Sequence, residues 1–132
     1  MKDQRLDGRR VLIVEDEYFI ADDLSSALIE AGANVLGPIP DVSEANALLA
    51  ADSNIDAAIL DINLHGEMAF SVADALQTRG IPFMFSTGYD EWTLPDWFSG
   101  VPRVEKPVRA QKLIAALRPL LRKQLTSLAT GR

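Results

Sequence analysis

Four short apolar runs and a shorter fifth strand, each separated from the next by a helical or irregular stretch, constrain this chain more than any other feature. Arg10-Val11-Leu12-Ile13-Val14, Asn34–Ile39, Ala57-Ala58-Ile59-Leu60-Asp61, Pro82–Ser86 and Arg103-Val104-Glu105 read as strands bounded by turn signals. After the first, Ile20, Leu24, Ala27, Leu28 and Ala31 recur at spacings of three and four, and Gly32 stops the helix they predict. Asp41 or Ser43 caps a second helix carrying Ala45, Leu48 and Leu49 inward. Phe70, Ala73 and Leu76, with Val72 and Ala75 flanking, predict a third that ends at Arg79-Gly80. A last helix starts near Ala110 with Leu113, Leu117, Leu120 and Leu121 on one face. Pro119 predicts a bend or break in it, and 126–132 reads as a frayed tail. Tyr89 to Pro102 is different: Pro95, Gly100 and Pro102 break it while Trp92, Trp97 and Phe98 pin it, so an irregular segment is expected. Alternation of this kind implies a parallel sheet with helices on both faces, in one domain spanning 1–132.

Bulk properties narrow the function. A hydrophobic content of 48% and a charged content of 24% are those of an ordinary globular protein. Without cysteine and with one histidine, the chain offers neither disulfides nor a zinc centre. No stretch is long and apolar enough for a membrane helix, and the N-terminus lacks a signal-peptide core, so a cytoplasmic protein is expected. The net charge of −6 is unevenly spread. Residues 103–132 hold eight basic residues against Glu105 alone, a balance of +7, while 1–102 carry −13. That basic segment reads either as a solvated helix face or as a patch for an acidic partner. Overall sign and the lack of a motif argue against nucleic acid.

The chemistry gathers where the strands end, since ligands of open α/β sheets bind outside the carboxyl ends. The first strand delivers Glu15 and Asp16, the third Asp61, the fourth Thr87 and the fifth Lys106. Three carboxylates without sulfur suit Mg²⁺, a hard cation that takes one or two carboxylates plus phosphate oxygens. A carboxylate also serves as a nucleophile, forming an aspartyl phosphate. Its phosphoryl oxygens would be neutralised by the metal, the Lys106 ammonium and the Thr87 hydroxyl.

Val11-Leu12-Ile13-Val14-Glu15-Asp16-Glu17, Ala58-Ile59-Leu60-Asp61-Ile62-Asn63-Leu64, Phe85-Ser86-Thr87-Gly88-Tyr89 and Val104-Glu105-Lys106-Pro107 together resemble the response-regulator receiver domain, over about 9–125. The resemblance implies a flavodoxin-like (βα)5 three-layer sandwich with sheet order 2-1-3-4-5 and, here, an irregular fourth helix. It makes Asp61 the phosphoacceptor, Asp16 a direct Mg²⁺ ligand and Glu15 its acidic neighbour. Asn63 would give a backbone carbonyl to the metal, leaving its side chain free to tune hydrolysis. Thr87 becomes the switch hydroxyl, Lys106 the phosphoryl partner and Pro107 the site of a cis peptide.

Three departures stand out. Arg103 occupies the place of the aromatic switch; it is either a surface arginine or a reader of the phosphoryl state. The Phe-x-Thr-Gly-Tyr pattern is similar to that of a receiver subgroup lacking that aromatic. His65 stands in the loop after Asp61 where proline is common, which leaves the loop's rigidity open. The expected role is two-component signalling: a Mg²⁺-dependent switch charged by a histidine kinase or phosphotransfer protein. The chain ends soon after Lys106, so output by contact with an unidentified downstream protein is expected, not catalysis of its own. The alternatives are an aspartyl-phosphate phosphatase or phosphotransferase, disfavoured because its Asp-x-Asp pair would sit on the first strand, and a pseudo-receiver that works without phosphorylation.

Overall fold

The computed structural model describes residues 6–52, 54–88, 98 and 100–129, with side chains in the last helix through Leu121. Strand β1 (Arg10–Val14) is followed by α1 (Tyr18–Glu30), β2 (Asn34–Ile39), α2 (Val42–Ala51) and β3 (Ala57–Asp61). A two-stranded hairpin of β4 (Asn63–Leu64) and β5 (Glu67–Met68) then leads into α3 (Phe70–Thr78), β6 (Phe83–Thr87), β7 (Arg103–Glu105) and α4 (Ala110–Ala129). The main sheet is parallel, with order β2-β1-β3-β6-β7. Leaving the hairpin aside, that is the expected 2-1-3-4-5 order of a flavodoxin-like sandwich.

Strand alternation divides the core. Leu12, Val14, Ala58, Leu60, Phe83 and Phe85 pack towards α2 and α3, against Ala45, Leu49, Val72 and Leu76. Val11, Ile13, Ala57, Ile59 and Met84 face α1 and α4, against Leu24, Leu28, Leu113 and Leu117. Both β3 and β6 are buried throughout, as central strands covered on two faces must be. Asp41 caps α2 by accepting the Glu44 N–H at 2.8 Å. Arg10 holds the start of β1 to the turn before β3 with a two-pronged pair to Asp52, at 3.0 and 2.9 Å.

The glycine of β2 has a local cause. Pairing of β1 with β2 slips between Leu12↔Leu36 and Val14↔Ile39, so β2 bulges around Gly37-Pro38. Gly37 has φ +98°, and a Cβ there would stand 2.7 Å from Ile39 N and 2.8 Å from Ile13 O. Gly37→Ala is therefore expected to cost more than the roughly 1–3 kcal/mol of backbone strain alone, measured as a lowered urea midpoint with an unchanged slope.

Several expectations need correction. The third helix is turned so that Val72 joins Ala73 and Leu76 in the core, while Phe70 is half-buried. The fourth strand spans Phe83–Thr87, which puts Thr87 inside the strand. Pro119 does not break the last helix, which continues through Ala129 and so includes the first part of the expected tail. The reason is placement: Pro119 is exposed, on the side where a helix loses a bond most cheaply, while Leu113, Ile114, Leu117 and Leu121 hold the opposite side in the core. Leu120 is only partly buried. The expected irregular segment, with Tyr89, Trp92 and Trp97, lies outside the described residues apart from its end. There Phe98 is fully buried, its ring 5.7 Å from Phe70 and 5.8 Å from Phe85.

Candidate functional site

Three strand ends converge on one acidic pocket. Period-two alternation carries the α1-facing positions Val11 and Ile13 on to Glu15, and Ala57 and Ile59 on to Asp61. Because Val14 pairs with Leu60, Glu15 and Asp61 come out side by side. Both are almost wholly buried, at 2% exposure each. With half-buried Asp16 they form a set whose carboxylate oxygens lie within 4.8 Å of one another.

Lys106 enters from β7. Its N–H donates to the Thr87 carbonyl at 2.8 Å, which fixes where the side chain starts. Its Nζ donates to Asp61 Oδ2 at 2.9 Å and to Glu15 Oε2 at 3.3 Å, with Glu17 at 3.9 Å. Backbone amides hold the acids from the other side. Asn63 N–H donates to Asp61 Oδ1 at 3.2 Å, Glu17 N–H to Glu15 Oε2 at 3.2 Å, and His65 N–H to Asp16 Oδ2 at 2.8 Å. Thr87 is buried at the end of β6, one residue beyond Ser86, which pairs with Asp61. The peptide between Lys106 and Pro107 is cis, as expected.

Charge in this pocket is crowded. Burial, then the neighbouring Asp61 charge, pushes the Glu15 carboxyl up to about 7, against an opposing pull from Lys106. Burial works to lower the Lys106 pKa, but its hydrogen bond to Asp61 and the charges of Asp61 and Glu15 outweigh it and raise it. Glu15 Oε1 is buried without a well-aligned hydrogen bond, although Lys106 Nζ stands 3.2 Å away. An under-compensated trio of hard oxygen donors is what a small dication fits. The cluster is compatible with Mg²⁺.

The connection after Asp61 is not the open loop that the sequence suggests. Asn63 pairs with Met68 and Leu64 with Glu67 around a tight turn at His65-Gly66. Both turn residues have positive φ, 52° and 84°, as a two-residue hairpin turn demands. The Asn63 side chain is not free: its Oδ1 accepts the Gly66 N–H at 2.8 Å and closes the turn. His65 is exposed, yet its Nδ1 lies 3.4 Å from Asp16 Oδ2. That contact was hidden in the sequence, because only the folded hairpin brings position 65 back over position 16. Arg103 is exposed on β7, beside Phe85 in the sheet register.

Comparisons with known proteins agree with this architecture. No protein-family model matches the chain, and no curated protein does. Among solved structures, the chain is similar to SdrG from Sphingomonas melonis Fr1, with 38% identity over 86% of this chain and 97% of that one, at a TM-score of 0.78. It is also similar to the BeF3-activated conformation of SdrG from Pseudomonas melonis Fr1, with 37% identity, 88% and 98% coverage and a TM-score of 0.73. A response regulator receiver protein from Sinorhizobium medicae WSM419 matches at 26% identity, 89% and 97% coverage and a TM-score of 0.74. With its sheet order, its acidic strand ends and this likeness, the chain belongs to the response-regulator receiver family of two-component signalling.

Proposed function

We propose that Asp61 accepts a phosphoryl group from a histidine kinase or a phosphotransfer protein, in a Mg²⁺-dependent reaction in the cytoplasm. The chain then signals through contact with a downstream protein. One observation carries this reading: Lys106 Nζ, 2.9 Å from Asp61 Oδ2, stands in a pocket of three carboxylates at the carboxyl ends of the sheet.

In the reaction, an Asp61 oxygen forms a bond to phosphorus while the bond from phosphorus to the donor nitrogen breaks, its electron pair leaving with the imidazole. Glu15 and Asp16 would hold Mg²⁺ with Asp61 and the Asn63 carbonyl. When bound, the ion neutralises phosphoryl oxygens. Lys106 is placed to follow the negative charge from the Asp61 carboxylate to a phosphoryl oxygen, and Thr87 to offer its hydroxyl to another. Because the Lys106 N–H is tied to the Thr87 carbonyl, the two residues would move together. Their shift would bias the segment between Tyr89 and Arg103. With Arg103 in place of an aromatic, the usual rotating ring is not the messenger. The activated SdrG conformation named above supports a beryllofluoride-sensitive switch.

Incubation with acetyl phosphate and Mg²⁺ is expected to add one acyl phosphate, trapped by borohydride reduction and mapped by mass spectrometry to Asp61. Label at any other residue would overturn the assignment. Failure of both acetyl phosphate and beryllofluoride to alter the protein's amide spectrum would favour the pseudo-receiver. Steady-state release of phosphate from small phosphate esters would favour the phosphatase.

A further inference from the structure

A cleft of about 460 Å³ runs along the outer side of β7 and beneath the start of α4, lined by residues 103–109 and Lys112. Its charge is one-sided: Arg103, Lys106, Arg109 and Lys112 against Glu105. Lys106 turns inward to Asp61 and Glu15. Arg103, Arg109 and Lys112 are exposed, and among the described residues none of them makes an ion pair or a side-chain hydrogen bond. Half of the eight basic residues that set 103–132 apart from the acidic remainder of the chain therefore line one concave surface.

The backbone of this surface has a matching property. β7 is the last strand of the sheet order. Phe85 N–H donates to the Pro102 carbonyl at 2.9 Å and Lys106 N–H to the Thr87 carbonyl at 2.8 Å, so the even-numbered residues face β6. In a parallel ladder the alternate residues point the other way. The N–H and C=O groups of Arg103 and Glu105 accordingly point away from β6, to the side on which β7 has no neighbouring strand among the described residues. An unpaired edge of this kind is a template for another strand.

We propose that this edge receives an extended acidic segment of a partner protein as an added strand. The segment's main chain pairs with Arg103 and Glu105, and its carboxylates meet Arg103, Arg109 and Lys112. Nucleic acid fits less well. It would need a longer basic track than this short edge, and the −13 balance of residues 1–102 repels a phosphate backbone. The inference rests on the cleft alone and does not require Asp61 to be phosphorylated.

The test uses the full chain and a fluorescein-labelled peptide of about ten alternating Glu and Val residues, long enough to span an edge strand. A Lys/Val peptide is the control, and salt is kept near about 0.15 M to screen diffuse attraction. Anisotropy should show saturable binding of the acidic peptide only. Amide shifts should cluster within residues 103–112, with slowed hydrogen exchange at Arg103 and Glu105. Arg103→Glu with Arg109→Glu should weaken binding at least about tenfold. Arg9→Glu with Arg79→Glu, an equal change of net charge away from the cleft, should leave it within about twofold. Equal losses in the two double variants, shifts centred elsewhere, or no binding would overturn the proposal. So would a short DNA duplex that displaces the peptide from the same residues.

Discussion

Asp61→Asn is expected to abolish phosphoryl transfer and, without a divalent cation, to make the protein more stable. The first outcome follows from the proposed chemistry, because a carboxamide has no anionic oxygen to attack phosphorus; labelling with acetyl phosphate should fall to background. The second follows from the pocket's electrostatics. Asp61 is buried beside Glu15, and its charge helps raise the Glu15 pKa to about 7. An asparagine keeps one oxygen, enough for Lys106 Nζ, gives up the acceptor that meets the Asn63 N–H, and leaves Glu15 and Lys106 as a balanced pair. Removing a buried charge held in such excess should raise unfolding stability by about 1–2 kcal/mol in chelator at neutral pH, read from urea denaturation. The sign of the pH dependence is fixed. Glu15 holds its proton more tightly folded, at about 7, than its ordinary value of 4.5 allows. The folded state thus binds the extra proton between those values, and stability contributed by this group is lost as pH rises through them. The asparagine variant should show a flatter profile, and its advantage should shrink near the lower value.

Lys106→Met is expected to act in the opposite direction. The ammonium contacts both Glu15 and Asp61, and its stem is largely buried. Methionine preserves the stem's volume and removes the cation, leaving two buried carboxylates facing each other. Breaking a buried pair by deleting one partner costs about 3–5 kcal/mol. Here Glu15 has an escape, since losing the Lys106 charge drives its pKa higher still and protonation relieves the repulsion. The loss should therefore be smaller in mildly acidic buffer than in mildly alkaline buffer, as a pair of urea titrations would show. Mg²⁺ should restore part of the alkaline stability if the three acids hold it, and chelator should remove that gain. A loss independent of pH would mean that the methionine packs badly and that the charge contributes little.

Which parts were legible in the sequence follows from the range of the forces involved. The identities of β1 and β3 and their acidic ends could be read because burial on two faces leaves a continuous apolar run, and the run stops where the buried acidic pocket begins. Lys106 was legible as a charge directly after a strand, although that strand carries one apolar residue, Val104, between two exposed charges. The role of the Asn63 side chain was not. Whether an asparagine oxygen faces a site or closes a turn depends on the φ of the next two residues, and His65 takes the left-handed region without being glycine. The need for glycine at position 37 was not legible either, because its cause is the approach of Ile13 O across a slipped register. Pro119 misled because local propensity counts the lost hydrogen bond but not the tertiary contacts of Leu117 and Leu121 that outweigh it. In each case a contact distant in sequence decided a local question.

The placement of Glu15 and Asp61 on the α1-facing row has a consequence for assembly as well as for chemistry. Their neighbours two residues earlier, Ile13 and Ile59, lie in the apolar layer of that face. If either strand were to pair one residue out of step, its carboxylate would turn towards the layer that holds Leu60 and Phe85, and its aliphatic residues would exchange faces. A buried carboxylate without a cation carries a heavy penalty. Only the native register lets one lysine, arriving from the far edge of the sheet, meet both acids. The pocket thus works as a key for strand alignment, and the residues proposed to carry the signal also remove the nearest misfolded alternatives.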